Sequence, residues 1–491
     1  MIFENLELEW TFDLSAFDSV WFFLIQILFL LSALLIANTL RRCIKPLRRA
    51  FIPSALIGGL ILFILNILFE YVFHVSLYDG VKGIIDKRVM QIITYHALAI
   101  GFIASTLKFA VNEKRVPFLK SIQNGAITGG TYMLQASLGI VISIVFFAIG
   151  GKLFYDAGVL LPLGFGQGPG NALAWDMNFS RMFDANGNQL FTGEGSVGLT
   201  IASVGFLVAS IVGVIYMNIY RRKGEIVHKD ITIERKVEDF EVRSEIEDSE
   251  SVDKFSIQIA IVGICYGMAF LIMVFFAKLS DWTGVKLFNS VAWGFNFIWG
   301  VIAANIVKIL LNQLRKRKMM KKKYVNNYQM DRISGFAFDL MIIAGVAAID
   351  VEKVGEYIWF IIILCVVGAI ATVIYVRLMT KMVFKDYQHE AFLVNFGTLT
   401  GTASNGMIFL REIDPANETP MSSIFIVSQL PAMLFVAPLL LLLNLSASSP
   451  TKCYIALGIF FFLFLAYTAF LILSAKGVFK RKAKENVENP Q

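Results

Sequence analysis

The stretch GFGQGPGNALAWDMNFSR, residues 164–181, lies between two long apolar segments and decides how this chain folds. It is too polar to span a bilayer, and its alternating glycines at 164, 166, 168 and 170 disfavour an ordinary helix. Glycines also let a backbone turn tightly and approach a ligand closely. At membrane depth, irregular backbone is tolerated only where protein buries it or where it lines a wet cavity. The stretch therefore predicts a turn held inside the protein, within an otherwise lipid-soluble chain.

The composition indicates a multi-pass membrane protein. The 491 residues are 57% hydrophobic and 16% charged, whereas soluble domains carry about 25% charged residues. Apolar runs of roughly 20 residues are long enough to cross the hydrocarbon core as helices. Eleven such helices are predicted, at 20–40, 51–73, 90–109, 122–149, 196–219, 256–277, 288–313, 331–350, 356–380, 420–444 and 453–475.

The basic residues are placed between the apolar runs rather than spread evenly. Clusters such as RRCIKPLRR at 41–49, NEKRVPFLK at 112–120 and RKRKMMKKK at 315–323 alternate with loops poor in Lys and Arg. Because cytoplasmic loops carry the excess of positive charge, we expect the N-terminus outside and the C-terminus in the cytoplasm, in the inner or plasma membrane of the cell. This pattern accounts for the net charge of +7, which makes nucleic-acid binding the weaker interpretation.

A second glycine-rich stretch, NFGTLTGTASNGMIFLRE at 395–412, occupies the same place in the second half of the chain. Each half has four predicted spans, one interrupted segment and a fifth span. Because five is odd, the second half must enter the membrane upside down relative to the first, which is a known transporter pattern. We therefore predict an all-α polytopic membrane protein with two inverted five-helix repeats, each with a re-entrant hairpin, plus one extra C-terminal helix.

The breaks between apolar runs also divide the chain into segments. We predict an extracytoplasmic N-terminal segment 1–19, repeat 1 at 20–219 with its hairpin at about 160–180, a charged cytoplasmic linker 220–255, repeat 2 at 256–444 with its hairpin at about 390–412, an extra transmembrane helix 453–475 and a basic cytoplasmic tail 476–491.

The two hairpins carry groups that can bind a small solute. A helix that starts just after a turn presents unpaired N–H groups with partial positive charge, which suits a carboxylate, and the carbonyls opposite suit Na⁺. The predicted substrate-binding residues are Gln167, Gly168, Gly170, Asn171, Thr400, Gly401, Thr402, Ser404 and Asn405. The alternative interpretation is that the small residues only allow close helix packing.

For a coupling cation, we predict contacts with Asp339, Asp176 and Thr398. Oxygen ligands, rather than Cys or His, fit a hard monovalent cation. Asp339 also lies well inside a predicted span, where ionisable residues are costly and usually functional. No catalytic residue and no other metal site is predicted.

At these residues the chain resembles the sodium/glutamate symporter family, as a divergent member. The resemblance lies in FIPSALIGGLILFIL at 51–65, in HALAIGFIASTLK at 96–108 and in the paired glycine-rich stretches, and the general plan covers most of residues 20–445. It implies sodium-coupled uptake of glutamate by homodimers, with Na⁺ as coupling ion and no cofactor. It also implies elevator-like motion, in which a hairpin-bearing transport domain slides against a scaffold.

Other classes of function remain open on the sequence. An intramembrane enzyme is disfavoured, since the chain has no HExxH, GxGD or GxSxG motif. A channel would need a continuous polar path, which paired hairpins could line. A carrier for another organic anion, an exporter, and a transporter-like sensor with the linker 220–255 as its output also fit the pattern.

Overall fold

The computed structural model describes residues 14–49, 51–75, 81–108, 117–150, 153–183, 189–226, 254–284, 292–294, 296–317, 325–414 and 418–476. Within these ranges the chain is helical and forms no strand. The longer helices are α1 Leu14–Cys43, α2 Ser54–Ile67, α3 Lys87–Leu107, α4 Phe118–Gly150, α5 Leu160–Gln167, α6 Pro169–Phe179, α7 Ser196–Arg222, α8 Lys254–Thr283, α9 Asn296–Lys316, α10 Asn327–Ala347, α11 Ile358–Val383, α12 Gln388–Thr400, α13 Ala403–Ile413, α14 Gln429–Ala447 and α15 Pro450–Ala475.

Ten helices of the described part are long and apolar enough to cross a membrane, namely α1–α4, α7–α9, α11, α14 and α15. The protein is therefore an all-α, multi-pass membrane protein, as predicted. The eighth predicted span, 331–350, corresponds to α10, which is 21 residues long but carries the charged residues Asp331, Arg332 and Asp339. The predicted span 420–444 is two helices, Met421–Val427 and α14, which are separated at Ser428.

Several predicted segments fall outside the described residues. These are the first part of the N-terminal segment (1–13), the middle of the linker (227–253), the start of the seventh predicted span (288–291) and nearly all of the C-terminal tail (477–491).

Polar residues just before the helices fix several of the helix starts. Asp86 precedes α3, and its carboxylate accepts hydrogen bonds from the backbone N–H groups of Arg88 at 2.7 Å and Val89 at 3.1 Å. Asn326 caps α10 in the same way. Such caps pair N–H groups that have no partner within the helix.

The helices pack as two groups. The central six-helix bundle consists of α1, α2, α3, α8, α9 and α10. In it α1 packs on α2, and α8 on α9. Helix α2 also packs on α10, α9 packs on α3, and α3 and α10 pack against each other in the middle. The hairpin bundle consists of α4–α7 and α11–α15, in which α4 contacts α5, α11, α14 and α15.

The described helices run between two ends, which we name after the residues that bound α3. At the Lys87 end, Lys87 pairs with Asp350 at 2.9 Å and Lys353 with Glu194 at 3.1 Å. At the Lys108 end, Lys108 pairs with Asp331 at 2.6 Å. Asp350 also donates its backbone N–H to the Ser196 hydroxyl at 3.0 Å, which places the start of α7 at the Lys87 end.

Candidate functional site

The hairpin bundle contains two helical hairpins. Hairpin 1 is α5 followed by α6, and hairpin 2 is α12 followed by α13; in each, the two helices pack against each other. Their bounds lie within two residues of the predicted segments 160–180 and 390–412. Both hairpins are mostly buried, so they occupy the interior of the helical assembly rather than its surface.

The bases of the hairpins lie at opposite ends of the molecule. At the base of hairpin 1, the Ser180 hydroxyl accepts the backbone N–H of Glu194 at 2.9 Å, which belongs to the Lys87 end. At the base of hairpin 2, Glu412 pairs with Arg221 at 2.9 Å, and the ring of His389 lies 3.2 Å from the Glu225 carboxylate. Arg221 and Glu225 lie at and just beyond the end of α7, which is the Lys108 end.

The base of hairpin 1 is also held by a direct contact between two backbones. Gly139 in α4 faces Gly158 in the turn before α5, and a Cβ atom on either glycine would collide with the carbonyl oxygen of the other. Close approach of this kind requires glycine on both sides. Helix α4 and hairpin 1 are therefore joined without any side chain between them.

The tips of the two hairpins meet. Gly168 alone separates α5 from α6, and its backbone angles of φ 81° and ψ −175° belong to a region that essentially only glycine adopts. A Cβ on Gly168 would lie 3.6 Å from the Thr402 methyl group, at the start of α13. The point of contact lies between the Lys87 end and the Lys108 end, where Gly168 is buried and Thr402 is half-buried.

Two helix N-termini are thus brought together at the tips. Helices α6 and α13 are each 11 residues long, and neither has a side-chain hydrogen bond to its cap, which is Gly168 in one and Thr402 in the other. The first N–H groups of a helix have no partner within it and carry partial positive charge. The arrangement can stabilise an anion between α6 and α13.

Buried amide groups without partners lie beside these N-termini. Asn171 is 1% exposed, and neither atom of its side-chain amide has a hydrogen-bond partner among the described residues. The amide nitrogen of Asn405, which is 5% exposed, also has no hydrogen-bond partner among the described residues. The same is true of the side-chain oxygen of Gln167. Buried polar groups are normally paired, so these three amides mark a place where a polar ligand would complete the hydrogen bonding.

Helix α4 contributes a third wall of the site. Tyr132, which is buried, lies against the tip of hairpin 1, because its ring and hydroxyl would lie 2.5 Å from a Cβ on Gly166. One turn further on, the Gln135 amide nitrogen donates to the backbone oxygen of Leu399 at 3.2 Å, near the tip of hairpin 2, and to the Thr372 hydroxyl at 2.9 Å. Residues three apart share a helix face, so this face of α4 touches both tips.

All nine predicted substrate-binding residues lie at or beside the two tips. Asn405 folds over the turn, because its amide nitrogen would lie 2.5 Å from a Cβ on Gly401. Ser404 is exposed, whereas Gly170 packs closely against Leu98 of α3. The Thr400 hydroxyl donates to the Phe396 oxygen of its own helix at 2.7 Å, which leaves its lone pairs for other contacts.

The three predicted cation ligands lie in three different environments. Asp176 is fully buried, and its two oxygens accept the backbone N–H groups of Gly195 at 2.9 Å and Gly198 at 2.7 Å, so it closes the N-terminus of α7. The Thr398 hydroxyl donates to Val394 of its own helix at 2.7 Å. Asp339 shares a face of α10 with Ile343, whose carbonyl oxygen lies against Gly59 in α2. In the part of the chain that the structure describes, no hydrogen bond joins any two of these three residues.

Two buried polar residues, one in α4 and one ahead of α5, make contacts that the sequence pattern did not predict. Gln135 is one of several polar residues in α4, and nothing in their spacing separates a ligand from a packing contact. Asp156, which is fully buried, accepts a hydrogen bond from the Ser446 hydroxyl at 2.7 Å and lies 3.6 Å from the Cys453 sulfur. These contacts fasten α14 and the extra helix α15 to the base of hairpin 1.

No protein-family model matches the chain, and no curated protein matches it either. The resemblance to the sodium/glutamate symporter family therefore stays a prediction, and the site itself has to carry the functional conclusion.

Proposed function

We propose that the protein is a secondary active transporter, which moves a small carboxylate or amino acid, such as glutamate, together with sodium. The observation that carries this proposal is the meeting of two hairpin tips, with two helix N-termini and, among the described residues, three side-chain amides that each have a buried atom without a hydrogen-bond partner. N-terminal dipoles and amides suit a carboxylate, and the carbonyls at the ends of α5 and α12 suit Na⁺.

The helix packing supports an inverted repeat. The contacts of α1 with α2 and of α2 with α10 have counterparts in those of α8 with α9 and of α9 with α3. If α1, α2 and α3 are exchanged with α8, α9 and α10, respectively, the same pattern of helix contacts results. In the proposal, hairpin 1 re-enters the membrane from the outer face and hairpin 2 re-enters it from the cytoplasmic face.

Alternating access would follow from movement of the hairpin bundle relative to the central six-helix bundle. The two bundles touch where α6 lies against α3 and α10, and small residues line part of that contact. A Cβ on Gly345 of α10 would lie 3.1 Å from Pro169, and one on Gly170 would lie 2.9 Å from Leu98. Sodium would order the tips first, and the substrate would then complete a state in which crossing is favourable.

The test is a thermal-unfolding screen of the purified protein against amino acids and dicarboxylic acids, each in sodium and in an equal concentration of choline. We expect stabilisation that needs ligand and sodium together, by about 2.7 kcal/mol at a ligand concentration of 100 Kd. In proteoliposomes, the same ligand should show saturable, sodium-driven uptake and counterflow.

Two results would contradict the proposal. One is the absence of any cation-dependent stabilisation across the ligand set. The other is a large passive current through reconstituted protein without saturation, which would indicate a channel. Stabilisation by ligand and sodium without uptake would instead indicate a sensor.

A further inference from the structure

We propose that the side-chain oxygen of Gln135 is a ligand of the coupling cation, at the point where the C-terminal ends of α5 and α12 meet. The inference rests on the proposed function and names a residue of α4 that lies outside both hairpins. It starts from the fully buried amide of Gln135, whose oxygen has no partner among the described residues.

The orientation of this amide is fixed by its neighbours. The Leu399 backbone oxygen can only accept a hydrogen bond, so the Gln135 nitrogen must face it. The Thr372 hydroxyl donates its own hydrogen to Gly368 at 2.7 Å and therefore accepts from the same nitrogen. Both acceptors require the nitrogen, which leaves the oxygen as the free atom of the group.

Oxygens of the right kind belong to the two helix ends that this face of α4 touches. Helix α5 ends at Gln167 and α12 ends at Thr400, and the two helices contact each other. The last carbonyl groups of each helix have no partner within the helix. The Gln167 side-chain oxygen is also buried and lacks a partner in the described structure. Neutral carbonyl and amide oxygens are the ligands that a hard cation such as Na⁺ accepts.

The charge of the site explains why two ligands would bind together. The side chains that the structure places at the tips are Gln167, Asn171, Thr402 and Asn405, all of which are uncharged. A cation at the carbonyl ends and an anion at the N-termini would each be neutralised mainly by the other. Opposite charges a few ångströms apart in a partly buried site couple on the order of 100-fold.

Two substitutions at Gln135 separate this role from a packing role. In Gln135→Met the oxygen is removed, and the sodium concentration for half-maximal stabilisation should rise at least about tenfold. In Gln135→Glu a fixed negative charge is added at nearly the same side-chain length. Sodium alone should then stabilise the protein at a concentration at least about tenfold lower, while the affinity for the anionic ligand falls.

Gln123 provides the matched control, because it lies in the same helix, is 2% exposed, and also has a buried side-chain oxygen without a partner in the described residues. Its nitrogen donates to the Ser474 hydroxyl of α15 at 3.0 Å, away from the tips. Gln123→Met and Gln123→Glu should leave the sodium dependence within twofold of the parent protein.

Sodium titrations with constant ionic strength decide between the outcomes. If both Gln135 variants keep the parent's sodium half-saturation within twofold, the inference is wrong and the proposed transport function stands. If Gln135→Met does not give a monodisperse protein, the response of Gln135→Glu to sodium alone decides. If the parent protein shows no cation-dependent ligand stabilisation, the proposed function fails first.

Discussion

Replacement of Asn171 by Leu should stabilise the ligand-free protein and abolish ligand binding at the same time. Both polar atoms of the Asn171 side chain are buried without a partner in the described structure. A buried unsatisfied polar group costs about 1–3 kcal/mol, and leucine has the same branched arrangement of side-chain heavy atoms with no group to satisfy. We therefore expect the free energy of unfolding of the ligand-free protein to rise by about 1–3 kcal/mol.

The ligand response should move in the opposite direction. At 100 Kd the parent protein would gain about 2.7 kcal/mol from its ligand, and this gain should vanish in Asn171→Leu. Thermal unfolding in detergent, with and without ligand and sodium, measures both effects on one sample. A residue that served only for packing would not raise stability on removal while binding is lost.

Asn124 is the matched control for this substitution. It is also 1% exposed, but its nitrogen donates to the Ser428 hydroxyl at 2.8 Å and its oxygen accepts from Asn395 at 2.8 Å. Asn124→Leu should lower the free energy of unfolding by about 1–3 kcal/mol, because it leaves partners unpaired. If Asn171→Leu is as destabilising as Asn124→Leu, or if it retains the ligand response, the assignment of Asn171 to the binding site is wrong.

Three further outcomes follow from the described contacts. Gly168→Ala should cost about 1–3 kcal/mol of stability because of its backbone angles, whereas Gly263→Ala, which would meet open space, should leave the unfolding temperature unchanged. Asp176→Asn should lower the unfolding temperature without shifting the sodium half-saturation, because an amide has one acceptor oxygen and one of the N–H groups of Gly195 and Gly198 loses its partner; an unchanged temperature with altered sodium dependence would favour cation binding instead. Burial opposes ionisation of the Asp350 carboxyl, but the hydrogen bond and charge of Lys87 outweigh it and hold the pKa of Asp350 below its usual value of 3.8. The pair therefore stabilises the protein above about pH 4, and its contribution is lost as the pH falls through the lowered pKa. Lys87→Met should reduce the loss of stability that unfolding curves show between pH 6 and about pH 3. An identical loss of stability in the variant would contradict this role of the pair.

The hairpins could be placed from the sequence because glycine density breaks an apolar run in a way that neither a span nor a loop does. Helix bounds were less accessible. The predicted span 420–444 breaks at Ser428, where the hydroxyl is engaged by Asn124 of a distant helix and by Phe425. No local sequence pattern predicts that contact, because it depends on how α4 lies in the folded protein.

In the candidate site, too, some features could be predicted from the sequence and others could not. Its uncharged tip residues could be predicted, since they lie within the turns themselves. The surroundings of Asp176 could not be predicted, because its carboxylate accepts hydrogen bonds from the N–H groups of residues that lie 19 and 22 positions further along the chain. Gln135 could not be singled out either, because α4 has several other buried polar residues, among them Gln123 and Asn124, and their spacing does not distinguish a ligand.

The contact between Gly139 and Gly158 has a consequence for how this chain can change over time. Since the obstruction on each side is main chain, no compensating mutation elsewhere can make room for a larger residue at either position. If the proposed function holds, related sequences should vary at the tips as their solutes differ, yet keep this pair invariant. The two positions would then serve as a marker of shared descent that is independent of what is carried.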